Sequence, residues 1–312
     1  MRVLLTGSRG MLGSSIAERW LLQRPHDELL TLARSDVDLR ERAATRAAIA
    51  AATPDAIIHA AAVVGGIAAK LAHPTPYLLD NLFIDSNVIG SAIELGIPEL
   101  LNIGSAAIYP ETYRQPFVES DVLAAPLEPA NEGYAVAKIA AMKLCEYASE
   151  EFGFRYRTAI PSNLYGPNDD YSLSHGHLIA AALAKVHAAH ENDDPTVLIW
   201  GDGTARREFT YSVDLASWLV DQVGSLAGWP ARVNLGSGTD HSVTEYYEAA
   251  KTVVGYRGQF EYDDTKPSGM HQRILDSTVA RSFGWSPSTE LVDGMTVAYN
   301  TYLAAHTGAA QQ

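Results

Sequence analysis

The sequence is poor in cysteine and in long apolar runs, and each shortage excludes a class of protein. Cys145 is the only cysteine among 312 residues, so an internal disulfide and a cysteine-based metal site are excluded, and we expect no bound metal. No apolar run reaches the length needed to cross a membrane. Met1 to Leu5 are predicted to form a strand and not a leader peptide. These features favour a reducing, cytoplasmic setting without a membrane partner.

Basic residues are scarce relative to acidic ones. Lys and Arg number 23 against 37 Asp and Glu, which gives a formal net charge of −14 at pH 7. This charge argues against nucleic acid or an anionic membrane surface as a partner. It does not exclude a phosphorylated small molecule, which needs only a few local cations and helix N-termini. The length and the hydrophobic content of 47% allow one large domain or two coupled ones.

The amino-terminal stretch has the order strand, glycine turn, helix. Arg2 to Thr6 form a short apolar run, and Gly7, Gly10 and Gly13 follow it. In this context Gly7 permits the tight turn, Gly10 lets the backbone approach a pyrophosphate, and Gly13 lets helix and strand pack closely. Met11 opens the helix at whose N-terminus the pyrophosphate would lie. The stretch therefore predicts a dinucleotide site, the alternative being a plain strand-to-helix turn.

Two arginines indicate which dinucleotide is bound. The second predicted strand, 29–33, ends at Arg34, where NAD-preferring sites usually place an acid. Together with Arg9 of the glycine turn, Arg34 suits a 2′-phosphate, which predicts NADP (NADPH) over NAD unless both are ordinary surface residues. Asp36 and Asp38 follow, and either is a candidate contact for the adenine. Ala61 lies in a small-residue stretch after the third strand that allows close passage of a cofactor.

Strands and helices alternate through the first half of the chain. The alternation predicts an α/β fold, a Rossmann-type doubly wound parallel sheet. Beyond residue 160 it loosens. We therefore expect residues 1–160 to form an NADP-binding domain, to which short later segments return. Residues 161–312 are expected to form mainly a smaller, discontinuous C-terminal substrate lobe. The predicted elements of the first half include strands at 56–59, 99–105 and 154–160 and helical patterns at 42–52, 76–95 and 134–152.

Tyr134 and Lys138 are four residues apart, so they share one face of a helix. A free tyrosine has a pKa of about 10, and a nearby ammonium is expected to bring the pKa of Tyr134 toward working pH. Tyr134 is thus a candidate general acid for an alkoxide. Ser105 ends the fourth predicted strand, at the edge where such sheets bind ligands, and could hold a carbonyl in line with Tyr134. The alternative is a packed tyrosine and a solvated lysine.

The glycine turn, Ser105, Tyr134 and Lys138 together resemble the extended short-chain dehydrogenase/reductase family. Stretches at 64–67, 108–110, 127–129, 163–168, 200–204 and 207–209 narrow the resemblance to its GDP-L-fucose synthase branch. The resemblance implies hydride delivery from NADPH to C4 of a GDP-linked 4-keto-6-deoxy sugar. Tyr134 would protonate the alkoxide, Ser105 would polarise the carbonyl, and Lys138 would also hold the nicotinamide ribose. A homodimer formed by the helices at 76–95 and 134–152 is expected by the same analogy.

The resemblance assigns further residues to the site. Pro161 and Asn163 are expected near the cofactor. The residues expected near the nucleotide sugar are Asn163, His177, Trp200, Arg207 and Lys266.

One departure from the family pattern concerns epimerisation at C3 and C5, which the resemblance assigns to a histidine and to a cysteine two residues after the serine. Here the cysteine position is Ala107, and His177 fills the histidine position, with His175 close by. The chain could be a reductase without efficient epimerisation, an epimerase-reductase using His177 alone, or a form whose cysteine was replaced. A 4-epimerase with tightly bound NAD and a redox-sensing NADP-binding protein are alternatives from other classes.

Overall fold

The structure is a computed structural model that describes residues 1–172, 176–265 and 270–309. Its largest element is a six-stranded sheet in which every neighbouring pair is parallel. The strand order is β2-β1-β3-β4-β5-β9. The α/β doubly wound fold predicted from the sequence is confirmed. The strands of this sheet are β1 (Arg2–Thr6), β2 (Glu28–Leu32), β3 (Ala56–His59), β4 (Glu99–Ile103), β5 (Arg155–Pro161) and β9 (Arg232–Leu235).

Helices cover both faces of the large sheet, which explains why its strands read as nearly continuous apolar runs. In β1, Val3 and Leu5 point into one core, and Leu4 points into the other. The first core is closed by α1 (Met11–Gln23) and α7 (Ser212–Gln222). The second core is closed by α2 (Arg42–Ala52), α4 (Pro74–Glu94) and α5 (Glu132–Phe152).

The position of the main crevice follows from the strand order. The chain leaves β1 for β2 on one side and then crosses to β3 on the other side. The loops after β1 and β3 therefore diverge at the carboxyl end of the sheet, which is where doubly wound sheets bind ligands.

The later half of the chain builds a separate, third core around α6 (Leu178–Glu191), α8 (Val243–Val254) and α10 (Leu291–Ala309). Beside these helices, β7 (Thr196–Trp200) pairs with β11 (Gln259–Asp263). A further small sheet is centred on β8, and α9 (Thr278–Ser282) precedes α10. The small sheet contains β6 (Asn163–Tyr165), β8 (Arg206–Tyr211), β10 (Asp240–Ser242) and β12 (Gln272–Arg273).

After Gly66 the chain forms the short helix α3 (Ile67–Ala72), and residues 163–165 form β6, because pairing with β8 satisfies their backbone. One predicted strand end needs correction. β4 ends at Ile103, and Ser105 instead caps a 3-10 turn. In the described part of the chain, no helix has the combination of length and apolar character needed to span a bilayer.

Candidate active site

A cavity of about 210 Å³ lies in the crevice at the carboxyl ends of β1, β2 and β3. Its wall is formed by the three loops that follow these strands. The structure thus brings together residues that were predicted separately, from the glycine turn, the second strand and the third strand. The predicted cofactor residues that line the cavity are Gly7, Arg9, Gly10, Arg34, Asp38 and Ala61.

The turn after β1 has space for backbone but not for side chains. Gly7 has a φ of +73°, and a Cβ there would lie 2.7 Å from the backbone of Ala61. A Cβ at Gly13 would lie 2.1 Å from the carbonyl oxygen of Gly7. Gly10 is the N-cap of α1, and no side chain of the described residues caps this end. The first N–H groups of α1, from Met11 onward, can therefore bind an anion such as a pyrophosphate.

Three guanidiniums line the mouth of this cavity. Arg9 and Arg34 are exposed. The third, Arg40, was missed by sequence reasoning; its Nη2 lies 2.6 Å from Asp38 Oδ2 and its Nη1 lies 3.3 Å from Asp80 Oδ2. Hydrogen bonds from Arg40 lower the pKa of Asp38 to about 2, so this carboxylate stays ionised and held in the wall. The spacing of two residues between Asp38 and Arg40 was the signal available in the sequence.

Ser105, Tyr134 and Lys138 meet beyond the carboxyl end of β4. Ser105 precedes the turn Ala106–Ile108, and its Oγ accepts a hydrogen bond from the Ala107 N–H at 3.2 Å. Tyr134 lies in the first turn of α5 and Lys138 one turn later, 7% and 2% exposed. The Ser105 side chain acts on the phenol of Tyr134 and lowers its pKa. The three side chains form one buried corner.

The expectation that Lys138 brings the pKa of Tyr134 toward working pH is wrong for this structure. Burial raises the pKa of Tyr134, and the negative charge of Asp85 acts in the same direction. The Lys138 ammonium and the Ser105 side chain lower this pKa but do not outweigh burial. The phenol is therefore held protonated, which is the state from which a general acid must start.

Lys138 is held by a buried series of hydrogen bonds that the sequence did not reveal. Its Nζ donates to Asp85 Oδ1 at 3.2 Å, and His59 Nε2 lies 2.9 Å from the same oxygen. The other ring nitrogen of His59 lies 2.7 Å from Thr6 Oγ1. Burial opposes both charges, but their attraction lowers the pKa of Asp85 and raises that of Lys138.

Comparison with known proteins places this geometry in a family. Residues 3–228 match the NAD dependent epimerase/dehydratase family. The chain is 39% identical over 296 residues to GDP-L-colitose synthase from Yersinia pseudotuberculosis, covering 95% of this chain and 96% of that one. It is 37% identical over 314 residues to GDP-L-fucose synthase from Escherichia coli (strain K12), covering 97% and 96%. This chain belongs to the NAD dependent epimerase/dehydratase family.

A solved structure agrees with the assignment to the epimerase/dehydratase family. GDP-mannoheptose C4 reductase from Campylobacter jejuni, with NADP bound, superposes with a TM-score of 0.86 at 27% sequence identity, covering 96% of this chain and 98% of that one. The family resemblance drawn from the motifs is thereby confirmed.

Lys70 and His177 form a second group of titratable side chains, and Lys70 lies beside Tyr134. His177 is the N-cap of α6, and burial, then the charge of Lys70, lower its pKa to about 4. Its imidazole is therefore neutral at neutral pH. Sequence reasoning missed Lys70, whose Nζ lies 4.7 Å from the centroid of the Tyr134 ring. Nothing in the local sequence of Lys70 marks it, since it follows a run of small residues.

This member of the epimerase/dehydratase family has no thiol near its tyrosine. Ala107 is 6% exposed and packs in one cluster with Ala69 and Tyr134. Cys145 is fully buried in the core that α4 and α5 share, and burial raises the pKa of its thiol. Cys145 is thus a packing residue. Within the described residues, no cluster of His, Cys, Asp and Glu is placed to hold a metal.

The residues expected on the nucleotide side lie in the later half of the chain. Trp200 ends β7 and is 46% exposed, with Lys185 Nζ 5.2 Å from its ring centroid. Arg207 lies in β8, and burial, then the charge of Arg273, lower its pKa to about 10. Lys266 lies outside the described residues.

The two remaining predicted residues follow each other at the carboxyl end of β5. Pro161 is the last residue of that strand and is buried. Asn163 begins β6 and pairs in register with Phe209 of β8. Neither lines the cavity between β1 and β3, so both lie further along the sheet edge.

Proposed function

We propose that this protein is an NADPH-dependent reductase of the 4-keto group of a GDP-linked 4-keto-6-deoxy hexose. The observation that carries the proposal is the buried corner of Ser105, Tyr134 and Lys138 at the same sheet edge as a cavity with an open helix N-terminus. The names of the relatives, which are GDP-sugar synthases and a GDP-sugar C4 reductase, support a GDP-linked substrate.

The residues around the cavity fit NADP. Gly7 and Gly13 leave space that a Cβ would fill, and the N–H groups that begin α1 suit a pyrophosphate. Arg9 and Arg34 suit the 2′-phosphate, because guanidiniums bind phosphate oxygens in a bidentate manner. Asp38 is held by Arg40. When bound, NADPH would supply the hydride for the carbonyl carbon.

The roles of the chain's own residues follow from their contacts. Tyr134 holds a proton that it gives to the sugar O4 as negative charge develops there. The Ser105 hydroxyl orients the carbonyl oxygen. Burial makes the resulting phenolate costly, so the Lys138 ammonium is needed to compensate its charge. Asp85 and His59 fix that ammonium in place. We further assign to Lys138 a contact with the nicotinamide ribose.

The substrate side is proposed to use residues of the later half. Arg207 would bind the diphosphate of GDP, and the half-exposed ring of Trp200 offers a flat surface for the base. Asn163, His177 and Lys266 are assigned to the same nucleotide sugar. This division makes residues 1–160 the NADP-binding domain, with β9 and α7 returning to it. Residues 161–312 are then mainly the nucleotide-sugar-binding lobe.

We also propose a homodimer and a cytoplasmic setting. Large apolar side chains remain exposed on the outer faces of α4 and α5: Leu79 at 44%, Phe83 at 45%, Val136 at 42% and Tyr147 at 58%. Pairing of these two helices with a second copy would cover them. The cytoplasmic setting rests on the single cysteine, which is buried and free.

The residues of the site argue against two alternative activities. Epimerisation at C3 and C5 by a thiol is not expected, because Ala107 has no transferable proton. A 4-epimerase that retains NAD would not need the two arginines, Arg9 and Arg34, that line the cavity.

The test is to give purified protein NADPH with GDP-4-keto-6-deoxy-mannose, and to use the UDP-linked 4-keto sugar as the matched control. We expect one NADPH oxidised for each GDP-sugar reduced at C4, with NMR and mass spectrometry identifying the product. The Tyr134→Phe variant should be slower by about 10²-fold or more. Absence of NADPH oxidation with every sugar, or net isomerisation with retained NAD, would contradict the proposal.

A further inference from the structure

Lys70 is a buried cation that the proposed reduction does not use. It lies in the last turn of α3, and the residue is 9% exposed. Its Nζ donates to Asn131 Oδ1 at 2.9 Å. Lysine is among the residues that are almost never fully buried unless paired. Its position in the interior therefore calls for an explanation.

The neighbours of Lys70 do not neutralise it. In the described part of the chain no carboxylate oxygen lies within 4 Å of its Nζ, and its acceptor there is the neutral amide of Asn131. Glu128, whose charge acts on Lys70, accepts a hydrogen bond from Asn131 and is paired with Arg273 at 2.6 Å. A buried ammonium without an ion-pair partner is costly. Such groups are characteristic of functional sites, where the loss of a proton is useful.

The surroundings of Lys70 place it at the reaction site. Its Nζ lies over the ring of Tyr134, at 4.7 Å from the centroid. Its neighbour Ala69 packs with Tyr134 and with Ala107, the position where the family pattern has a thiol. Tyr134 must reach the carbonyl oxygen of the substrate, and the two carbons next to the carbonyl carbon are one bond away from that carbon. We therefore expect a side chain that lies on the ring of Tyr134 to be on the side where these two carbons would be.

We propose that the ε-amine of Lys70 removes and returns a proton on a carbon adjacent to the substrate's carbonyl, giving this site an enolising activity without a thiol at position 107. This inference rests on the proposed keto-sugar substrate. The neutral amine takes the proton, the C–H electron pair forms the C=C bond, and the carbonyl π pair moves to oxygen as an enolate. The reverse step returns a proton from the ammonium to carbon. Atoms and charge balance, and no oxidant or reductant is required.

The electrostatics of the pocket agree with this role. Burial, and then the charge of Arg273, lower the pKa of Lys70 to about 8, while Glu128 acts in the opposite direction. The other groups around it are Tyr134 of α5 and His177 before α6, and α4 contributes Tyr77 to the same cluster. A base needs a pKa near the working pH, and Lys70 meets that condition better than His177.

The experiment follows deuterium entry into the substrate in D₂O. The enzyme is supplied with GDP-4-keto-6-deoxy-mannose and NADP⁺, which fills the cofactor site but has no hydride to give. NMR reports exchange at C3 and C5. We expect the wild-type rate to rise with pH around a midpoint near 8, because only the neutral amine is a base.

The key variant is Lys70→Arg, which keeps the positive charge but cannot lose a proton. We expect it to slow exchange by about 10²-fold or more, and Lys70→Met to do the same. Lys251→Met, a lysine of α8 that packs on Phe260, is the matched control and should leave exchange unchanged. Thermal unfolding and NADPH binding show whether each variant is folded.

The outcomes separate this inference from the proposed reductase. Reduction by NADPH without wild-type exchange, or exchange that survives in Lys70→Arg, would overturn the role of Lys70 and leave the reductase intact. A raised KM in Lys70→Met with normal exchange would overturn it too, because Lys70 would then only bind substrate. If wild-type protein shows neither reduction nor exchange, the proposed function itself fails.

Discussion

The Lys138 ammonium donates a 3.2 Å hydrogen bond to Asp85, and both side chains are 2% exposed. This ion pair lies one helical turn from Tyr134 and joins α5 to α4. The same Asp85 oxygen also contacts His59. The position of the lysine is therefore fixed by a residue that lies 53 positions earlier in the chain.

The first prediction concerns this pair. Asp85→Asn leaves a buried ammonium without its counterion, so we expect a loss of about 3–5 kcal/mol in the free energy of unfolding. The negative charge of Asp85 raises the pKa of Tyr134. Removal of this charge should therefore lower the pKa of Tyr134 and move the basic limb of the pH–rate profile to lower pH. Denaturant unfolding and the pH dependence of kcat measure the two effects.

The matched control for Asp85 is Asp80, which lies on the same helix. Asp80 pairs with Arg40 at 3.3 Å and its side chain is 26% exposed, so Asp80→Asn should cost at most about 1 kcal/mol. Equal losses in the two variants would contradict the special role of the buried pair.

The second prediction tests the general acid. Tyr134→Phe removes only the hydroxyl, so we expect kcat for NADPH oxidation to fall by about 10²- to 10⁴-fold. KM for the GDP-sugar should change little, because the ring and its packing remain. Steady-state kinetics with both substrates varied is the measurement. An unchanged kcat would remove Tyr134 from the mechanism.

The third prediction concerns the two arginines at the cavity mouth. Loss of a charge-assisted hydrogen bond to a 2′-phosphate should raise KM for NADPH by about 10- to 100-fold in Arg34→Ala or Arg9→Ala. KM for NADH, which lacks this phosphate, should be unaffected. Arg42→Ala is the control, since Arg42 is exposed on α2 and pairs with Glu94. A parallel rise for NADH would show that the arginines do not select the cofactor.

The fourth prediction is a dependence of stability on pH at Lys70. Its pKa is lowered from 10.5 to about 8 in the folded protein, so between these values the unfolded chain binds more protons. Burying Lys70 therefore costs stability in full below pH 8, and the cost disappears as pH rises toward 10.5.

The variant Lys70→Met checks this dependence. It should be more stable than the wild type at pH 7, by up to roughly 3 kcal/mol. The advantage should shrink as the pH approaches 10. Urea unfolding at several pH values measures the difference. A Lys70→Met protein that is less stable than the wild type at pH 7 would contradict the cost assigned to burying this ammonium.

The fifth prediction tests the homodimer. Phe83 is 45% exposed on α4, and Phe83→Arg should convert a dimer to a monomer, as measured by sedimentation velocity. The matched control is Leu21→Arg, at a 72% exposed position of α1 on the other face of the sheet. Dissociation by the control variant, or a wild-type monomer, would contradict the proposed interface.

Residue types and spacings along the chain were enough to predict the fold class, the glycine turn and the Tyr134–Lys138 pair. The glycine spacing after β1 specifies a close approach of backbone segments, and the structure shows that a Cβ at Gly7 or Gly13 would collide with backbone. The four-residue spacing of Tyr134 and Lys138 needs only one helix to be meaningful. The alternation of strands and helices likewise predicts a parallel sheet, because its connections have to cross over.

The sequence by itself determined the doubly wound sheet, the glycine turn and the Tyr-Lys helix, because each depends on residues that are close along the chain. Only the tertiary structure decided what surrounds the tyrosine. Burial raises the phenol's pKa against the pull of Lys138, and Asp85 reaches Lys138 across 53 residues. Lys70 reaches the Tyr134 ring from a different helix. Desolvation and charge pairing depend on which helices pack together, and periodicity along a chain carries no information on that choice.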